Sequence, residues 1–281
     1  MEHKAKVFDG VLLLSDLDGT LLDTQKSIPL VNLEAIRRFE RLGGRFTIAT
    51  GRCPRSARDI ARAAGVNSPV VTLNGAVIYD YGADRIVDRF CLPQDYEQLV
   101  QRVHREFPDV GIQIYVGSHI YVAASSPVVE RLFRLEHTED CRIDTSPDRL
   151  PAQASKVLFG GPNARLQEVR RAVESAGCTG MYGMFTEDVY YEILPADVNK
   201  GRGALAVAGS CGIDAGCVAA VGDYYNDVDM LRMVDYPIVA GNAPDDVKLF
   251  ARYITTDCDH GVVADAIAHL EQRLIRRGTL V

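Results

Sequence analysis

The chain has 281 residues, of which 47% are hydrophobic, and a formal net charge of −7. Its length predicts two domains, and the negative charge excludes the basic footprint of an extended nucleic-acid interface. No apolar run approaches the roughly 20 residues that cross a bilayer, and residues 1–6 lack the apolar core of a secretion signal. We therefore expect a cytoplasmic protein that binds neither nucleic acid nor a membrane.

The seven cysteines are scattered along the chain and form no C-x-x-C pair. This pattern indicates neither a zinc ribbon nor a disulfide framework. The sequence also shows no coiled-coil pattern, and we expect a monomer or a weak homodimer.

The first part of the chain alternates strands with helices. Apolar runs bounded by turn residues indicate strands, and i, i+3, i+4 apolar spacing indicates helices. The first strand stops at Asp-Leu-Asp-Gly-Thr (16–20), the second stops at Thr50 and Gly51, and Asn-Gly at 74–75 is typical of a hairpin turn. Strands are predicted at 11–15, 46–49 and 70–73, and helices at 29–42 and 54–64. This alternation is typical of a parallel sheet covered by helices.

In the middle of the chain the order of elements changes, and predicted strands follow one another without an intervening helix. Helices are predicted at 94–107, 128–137 and 166–176, and strands at 112–116, 120–123, 156–159, 181–185 and 189–194. Successive strands of this kind favour an antiparallel α+β unit, which we place at residues 83–194.

Strand–helix alternation resumes after Pro195. Helices are predicted at 200–211, 226–234, 244–251 and 261–276, and strands at 217–221 and 237–240. The sequence therefore predicts an α/β core domain made of residues 1–82 and 195–281, with the α+β domain (83–194) inserted into it.

Polar side chains recur where the core strands end or where the core resumes. They are Asp16, Asp18, Thr50, Lys200 and Asp223. Each alone fits an ordinary turn or helix cap. Together they lie where open α/β sheets bind ligands, at the carboxyl edge of the strands.

These residue types fit phosphoryl transfer. Asp16 can act as the nucleophile that forms an aspartyl-phosphate, and Asp18 can serve as general acid and then general base. The Thr50 hydroxyl, the Gly51 N–H and the Lys200 ammonium can bind the phosphoryl group. Because nearby carboxylates repel one another, Mg²⁺ is expected, with Asp223 as a further ligand.

The four motifs resemble those of the haloacid dehalogenase superfamily. They are Asp-Leu-Asp-Gly-Thr-Leu (16–21), Thr-Gly-Arg (50–52), Asn-Lys-Gly (199–201) and Gly-Asp-Tyr-Tyr-Asn-Asp (222–227). The place of the inserted domain is similar to that in the Cof-like branch, which is related to sucrose-phosphate phosphatases and phosphomannomutases. The resemblance implies a Rossmann-like parallel-sheet core with a cap domain over the active site, and magnesium-dependent phosphomonoesterase activity.

The resemblance also implies a role for each matching residue. Asp16 is the nucleophile, and Asp18 is the general acid/base. Phosphate is bound by Thr50, Gly51, Lys200 and Asn226. Magnesium is held by Asp16, by the backbone carbonyl of Asp18 and by Asp223, and Asp227 supports the site.

The substrate depends on the inserted domain, where the sequence is less specific. We expect a small phosphorylated metabolite, with a sugar phosphate as the first choice. Glu187, Asp188 and Tyr190 are candidate specificity residues, although aromatic residues there fit hairpin packing equally well. A flavin mononucleotide or pyridoxal phosphate phosphatase, a phosphomutase and a non-catalytic sugar-phosphate sensor remain alternatives.

Two other motifs are incomplete. Gly201, Gly203 and Ala206 imitate a dinucleotide fingerprint but do not directly follow a predicted strand. The Asp16–Gly19 segment is not a calcium loop, because Ser27 stands where that loop requires Glu.

Overall fold

The computed structural model describes residues 6–276. Residues 1–5, which belong to the segment predicted to lack a secretion signal, lie outside the described residues. The strands are β1 (Leu12–Ser15), β2 (Arg45–Ile48), β3 (Val70–Thr72), β4 (Val77–Asp80), β5 (Arg85–Arg89), β6 (Gly111–Val116), β7 (His119–Ala124), β8 (Arg142–Asp144), β9 (Lys156–Gly160), β10 (Met181–Glu187), β11 (Tyr190–Pro195), β12 (Val218–Gly222), β13 (Tyr236–Val239) and β14 (Tyr253–Ile254). The helices are α1 (Leu30–Arg41), α2 (Pro54–Ala64), α3 (Tyr96–Glu106), α4 (Pro127–Glu136), α5 (Asn163–Ala176), α6 (Lys200–Ser210), α7 (Val228–Met233), α8 (Asp245–Lys248) and α9 (Val262–Arg276). Among these helices, none combines the length and the apolar character needed to cross a bilayer.

The chain forms two compact units. Within the described residues, the first comprises 6–50, 58–87 and 199–276, and the second comprises 51–57 and 88–198. The second unit thus begins and ends slightly later than the predicted 83–194, and it takes in a short segment after Thr50. The later start has a structural reason, because β5 adds to β3 and β4 in a three-stranded sheet.

The first unit is built on a five-stranded sheet in the order β14-β13-β12-β1-β2. Every neighbouring pair in it is parallel, as the sequence predicts. All four residues of β1 and all five of β12 are buried, because both faces of a parallel sheet are covered. Since Ser15 pairs with Val221, these two central strands end side by side.

The predicted third core strand belongs to a different sheet. β3 pairs antiparallel with β4, and a single parallel bridge between Ala49 and Val71 links it to the region of β2. The turn between β3 and β4 contains Asn74 with φ of 54°, so the hairpin predicted from the Asn-Gly sequence is confirmed. The eighth helix is shorter than its predicted range of 244–251, because only Asp245–Lys248 is α-helical.

The second unit contains a six-stranded sheet in the order β10-β11-β9-β6-β7-β8. Its strand pairs are antiparallel except for the parallel β7–β8 pair, and β8 was not predicted from the sequence. Alternate residues of its strands, such as Ile114 of β6 and Val157 of β9, enter an apolar core. This core also includes residues of α3 and α5. The intervening residues, among them Tyr115 and Lys156, point to the opposite face of this sheet.

Candidate active site

The site is built where β1 and β12 end. The backbone N–H of Asp16 donates to the carbonyl oxygen of Val221 at 2.9 Å, which extends the parallel ladder by one residue. Asp223 follows Gly222, the last residue of β12. Because the two strands are neighbours in register, the two carboxylates lie at the same sheet edge, and both are buried.

The segment after Asp16 turns sharply. Leu17 is fully buried, and its carbonyl oxygen accepts a hydrogen bond from the Leu22 N–H at 2.8 Å. Asp18 is more open, with 35% of its side chain exposed, and its Oδ1 lies 2.7 Å from the Nζ of Lys26. The two aspartates of the motif therefore have different environments, one buried and one in reach of solvent.

Lys200 is the first residue of α6. The side chain of Asn199 caps this helix by accepting from the Arg202 N–H at 2.9 Å. The Nζ of Lys200 lies 2.6 Å from Oδ1 of Asp16 and 2.7 Å from Oδ1 of Asp227. The lysine side chain is fully buried; burial alone would lower its pKa, but the two carboxylates raise the pKa above its ordinary value. Lys200 is therefore held as a cation.

Asp227 uses both of its side-chain oxygens. Oδ1 accepts from Lys200, and Oδ2 accepts from the backbone N–H groups of Asp223 and Tyr224 at 2.9 and 3.1 Å. It thus closes the turn that presents Asp223, and it also orients Lys200.

Two residues without a predicted role hold the Asp223 carboxylate. Thr20 Oγ1 donates to Oδ1 of Asp223 at 2.8 Å, and Asn242 Nδ2 donates to Oδ2 at 3.3 Å and to the Gly19 carbonyl at 2.9 Å. Thr20 belongs to the first motif, and Asn242 follows β13 at the same sheet edge. That placement is the signal that could have identified Asn242.

Gly19 is required where it stands. Its φ is +84°, in the left-handed region that favours glycine, and a Cβ there would lie 2.4 Å from Oδ2 of Asp223. The close approach of the two motifs therefore depends on the missing side chain.

Thr50 and Gly51 follow β2. Thr50 is buried, its N–H donates to the Val71 carbonyl, and its own carbonyl accepts from the Asn74 N–H, both at 2.9 Å. Asn226 Nδ2 donates to Oδ1 of the same Asn74 at 3.2 Å. Gly51 is grouped with the second unit.

The candidate specificity residues lie in the second unit, around the turn between β10 and β11. Glu187 and Asp188 are exposed, and Tyr190 is buried, which raises its pKa to about 12. The neighbouring Tyr191 belongs to the apolar core, with its ring 4.9 Å from that of Phe185. Tyr191 therefore packs in the core, as the hairpin-packing alternative predicts. A role of Glu187, Asp188 and Tyr190 in substrate specificity stays a prediction.

The carboxylates of the site carry more negative charge than Lys200 neutralises. One oxygen from each of Asp16, Asp223 and Asp227 lies within 4.8 Å of the others. Burial raises the pKa of Asp16 well above its usual range against the opposing effect of Lys200. Burial and the charge of Asp227 raise the pKa of Asp223 to about 7. When all three carboxyl groups are ionised, they and the one ammonium have a net charge of −2, so the residues present fit a divalent cation.

Comparisons with known proteins show which proteins the chain is similar to. A family model of haloacid dehalogenase-like hydrolases matches residues 13–267. The phosphoglycolate phosphatase of Archaeoglobus fulgidus is 28% identical, over 94% of this chain and 98% of that protein. The chloroplastic endoribonuclease YBEY of Arabidopsis thaliana is 25% identical over 91% of this chain, which spans 45% of the length of that relative. A crystal structure of a haloacid dehalogenase-like hydrolase from Bacteroides thetaiotaomicron superposes with a TM-score of 0.83 at 24% identity, covering 92% of this chain and 99% of that one.

Proposed function

The chain belongs to the haloacid dehalogenase-like hydrolases and is a phosphatase, and on this premise we propose that it hydrolyses small phosphate monoesters through an aspartyl-phosphate on Asp16. The observation that carries the proposal is the buried contact of 2.6 Å between Lys200 Nζ and Asp16 Oδ1. It supports the proposal because a carboxylate beside an ammonium can attack a phosphoryl group whose charge that ammonium neutralises, and a second carboxylate, Asp18, stands two residues on.

The first half of the reaction transfers the phosphoryl group to the enzyme. A carboxylate oxygen of Asp16 attacks phosphorus, the bond from phosphorus to the leaving oxygen breaks, and that oxygen takes the proton of the Asp18 carboxylic acid. Lys200 stays charged throughout, because Asp227 holds its ammonium at 2.7 Å, and it neutralises charge on the phosphoryl oxygens. Thr50 and Gly51 supply the neutral donors.

The second half returns Asp16 to its starting state. The Asp18 carboxylate takes a proton from water, whose oxygen attacks phosphorus while the bond from phosphorus to Asp16 breaks. Inorganic phosphate leaves, and Asp18 is again a carboxylic acid. The exposure of the Asp18 side chain, at 35%, is compatible with this exchange of protons with substrate and water.

We infer that the divalent cation is Mg²⁺ and that Asp16, Asp223 and the backbone carbonyl of Asp18 hold it. Asp227 is better suited to orienting Lys200, because its Oδ1 accepts from that ammonium and its Oδ2 accepts from two backbone N–H groups. The oxygens of Asp223, by contrast, accept from the neutral side chains of Thr20 and Asn242. When bound, Mg²⁺ would reduce the repulsion between the carboxylates and the incoming phosphate.

We further propose a cytoplasmic enzyme that is a monomer or a weak homodimer and acts on a sugar phosphate. All seven cysteines lie in the described part of the chain as free thiols, which is typical of a reducing compartment. Size-exclusion chromatography with light scattering tests the oligomeric state.

The experiment that tests the function is phosphate release from p-nitrophenyl phosphate and from a panel of phosphorylated metabolites, with and without Mg²⁺. We expect release that requires the cation, with sugar phosphates among the best substrates. Isomerisation of a sugar monophosphate without phosphate release would indicate a phosphomutase. Binding without turnover, across metals and pH values, would indicate a sensor.

A further inference from the structure

A lysine outside the four motifs lies beside the proposed general acid/base. The Nζ of Lys26 is 2.7 Å from Oδ1 of Asp18, and the two side chains are 60% and 35% exposed. Both residues belong to the first unit. An ion pair this open to solvent contributes little to stability. Its effect is local, because it keeps a positive charge next to Asp18 where solvent reaches the site.

The backbone of Lys26 is held in a closed turn. The Asp23 N–H donates to the Ser27 carbonyl at 2.9 Å, and the Lys26 N–H donates to the Asp23 carbonyl at 3.0 Å. Oδ1 of Asp23 also accepts from the backbone N–H groups of Gln25 and Ser27. Lys26 has a φ of 60°, in the left-handed region that a residue with a side chain rarely adopts. The turn therefore holds an unfavourable backbone conformation at the residue whose side chain reaches Asp18.

A second contact fixes this turn to a distant part of the same unit. The N–H and the Oγ1 of Thr24 both donate to Oδ1 of Asp259, at 2.9 and 2.8 Å. Asp259 lies shortly before α9. The Lys26 ammonium thus extends from a backbone that is held both within the turn and against another segment.

The position of the leaving group follows from the role of Asp18. In the proposed reaction the leaving oxygen takes its proton from Asp18, so the two oxygens must come within about 3 Å of each other. If the leaving oxygen binds Oδ1, the Nζ of Lys26 lies within about 6 Å of it. A negative group attached to the ester carbon is therefore within reach of the ammonium.

The charges around the site give this reach a consequence. Lys200 binds Asp16 and Asp227, which directs its charge to the phosphoryl group. An anionic leaving group would also be repelled by the carboxylates of the site. A lysine ammonium has three N–H donors, and the contact with Asp18 uses one of them. Lys26 can therefore bind an anionic leaving group without giving up Asp18.

We propose that Lys26 is a specificity residue that favours substrates with a negative group, such as a carboxylate, next to the ester carbon. This inference rests on the proposed function, in which Asp18 protonates the leaving oxygen. It narrows the substrate class to phosphorylated hydroxy acids, and among sugar phosphates to those of sugar acids. It also places one determinant of specificity in the first unit.

The test compares two esters that differ in one charge. Phosphoglycolate has a carboxylate on its ester carbon, and hydroxyethyl phosphate has a neutral hydroxymethyl group there. The readout is the ratio of kcat/KM for the two esters at saturating Mg²⁺, because effects of a variant on folding or on the phosphoryl group cancel in this ratio. In Lys26→Met we expect the ratio to fall about five- to tenfold, mainly through the KM for phosphoglycolate, as for one charge-assisted hydrogen bond in a partly solvated site.

Three controls accompany this variant. Lys26→Arg keeps the cation, so its ratio should stay near that of wild type; lysine, arginine and methionine are all unbranched at Cβ, so the backbone of the turn is affected alike. Lys248→Met makes the same change of net charge at a lysine whose Nζ lies 3.5 Å from Oδ1 of Asp245, and its ratio should match wild type. Added salt should lower the ratio in wild type but not in Lys26→Met, because salt screens the exposed ammonium.

The outcomes distinguish the inference from the function on which it rests. If wild type releases phosphate from both esters and Lys26→Met keeps the wild-type ratio, the role of Lys26 is refuted and the proposed function stands. The role is equally refuted if Lys248→Met lowers the ratio as much as Lys26→Met does. A wild type that releases phosphate from neither ester, nor from p-nitrophenyl phosphate, would refute the proposed function and the inference with it.

Discussion

Replacement of Asp227 by Asn tests the arrangement at the centre of the site. Asp227 is fully buried, and its two oxygens accept from Lys200 and from two backbone N–H groups. Asparagine has one acceptor oxygen, so in either orientation its NH₂ group faces a donor. If the oxygen stays with Lys200, both backbone bonds are lost. If it turns, Lys200 loses one of its two carboxylates.

The expected loss in the free energy of unfolding is similar for the two orientations of the asparagine side chain. A hydrogen bond that involves a charged group contributes about 1.5–3 kcal/mol, and removal of one partner of a buried ion pair costs about 3–5 kcal/mol. We therefore expect Asp227→Asn to lower the free energy of unfolding by about 3 kcal/mol. We also expect kcat to fall by at least about tenfold, because Lys200 and the turn that carries Asp223 both lose a restraint.

The assay is urea unfolding of the metal-free protein, followed by circular dichroism, together with steady-state kinetics. Asp229→Asn is the matched control, because Asp229 is exposed in the first turn of α7, and it should stay within about 0.5 kcal/mol of wild type. A variant Asp227→Asn as stable and as active as this control would refute the account of the Asp16–Lys200–Asp227 contacts.

Three other perturbations follow from the same geometry. Gly19→Ala should lower the affinity for Mg²⁺ measured by titration calorimetry, because its Cβ would lie 2.4 Å from the Asp223 carboxylate; unchanged affinity would show that the turn adapts. Lys200→Met should lower kcat by at least about a hundredfold, since it leaves the phosphoryl group and the buried Asp16 without their cation, and near-normal kcat in a folded variant would contradict that role. In metal-free protein the pKa of Asp223 is raised from 3.8 to about 7 by burial and by the charge of Asp227. Between these pH values the native state holds a proton that the unfolded chain has released, so the Tm in EDTA should fall as the pH rises from about 4 to 7. Mg²⁺ should restore the Tm most near and above pH 7. A Tm that rises with pH between about 4 and 7 would contradict the raised pKa of Asp223.

The core of the fold was predictable because its strands are continuous apolar runs. The runs at 11–15 and 217–221 became β1 and β12, and their parallel pairing follows from burial on both faces. Strands without that signal were missed. In β5 every position is at least partly exposed, and β14 has only two residues. Neither segment therefore shows the apolar run or the apolar–polar alternation that identifies a strand.

The position of the site was predictable from where the strands end, but its contacts were not. Lys200 and Asp16 are 184 residues apart in the chain, and Thr20 and Asp223 are 203 apart. No local pattern shows that such side chains meet; only the motifs as a set indicated it.

The measurement that tests the central claim most directly is identification of the residue that carries the phosphoryl group. The enzyme is mixed with substrate and Mg²⁺, quenched during turnover and treated with borohydride, which reduces an aspartyl-phosphate to homoserine, and the peptides are then analysed by mass spectrometry. We predict homoserine at residue 16 in wild type and none in Asp16→Asn, which should also lose hydrolysis. Homoserine at another aspartate, or turnover that persists in Asp16→Asn, would contradict the assignment of Asp16 as the nucleophile.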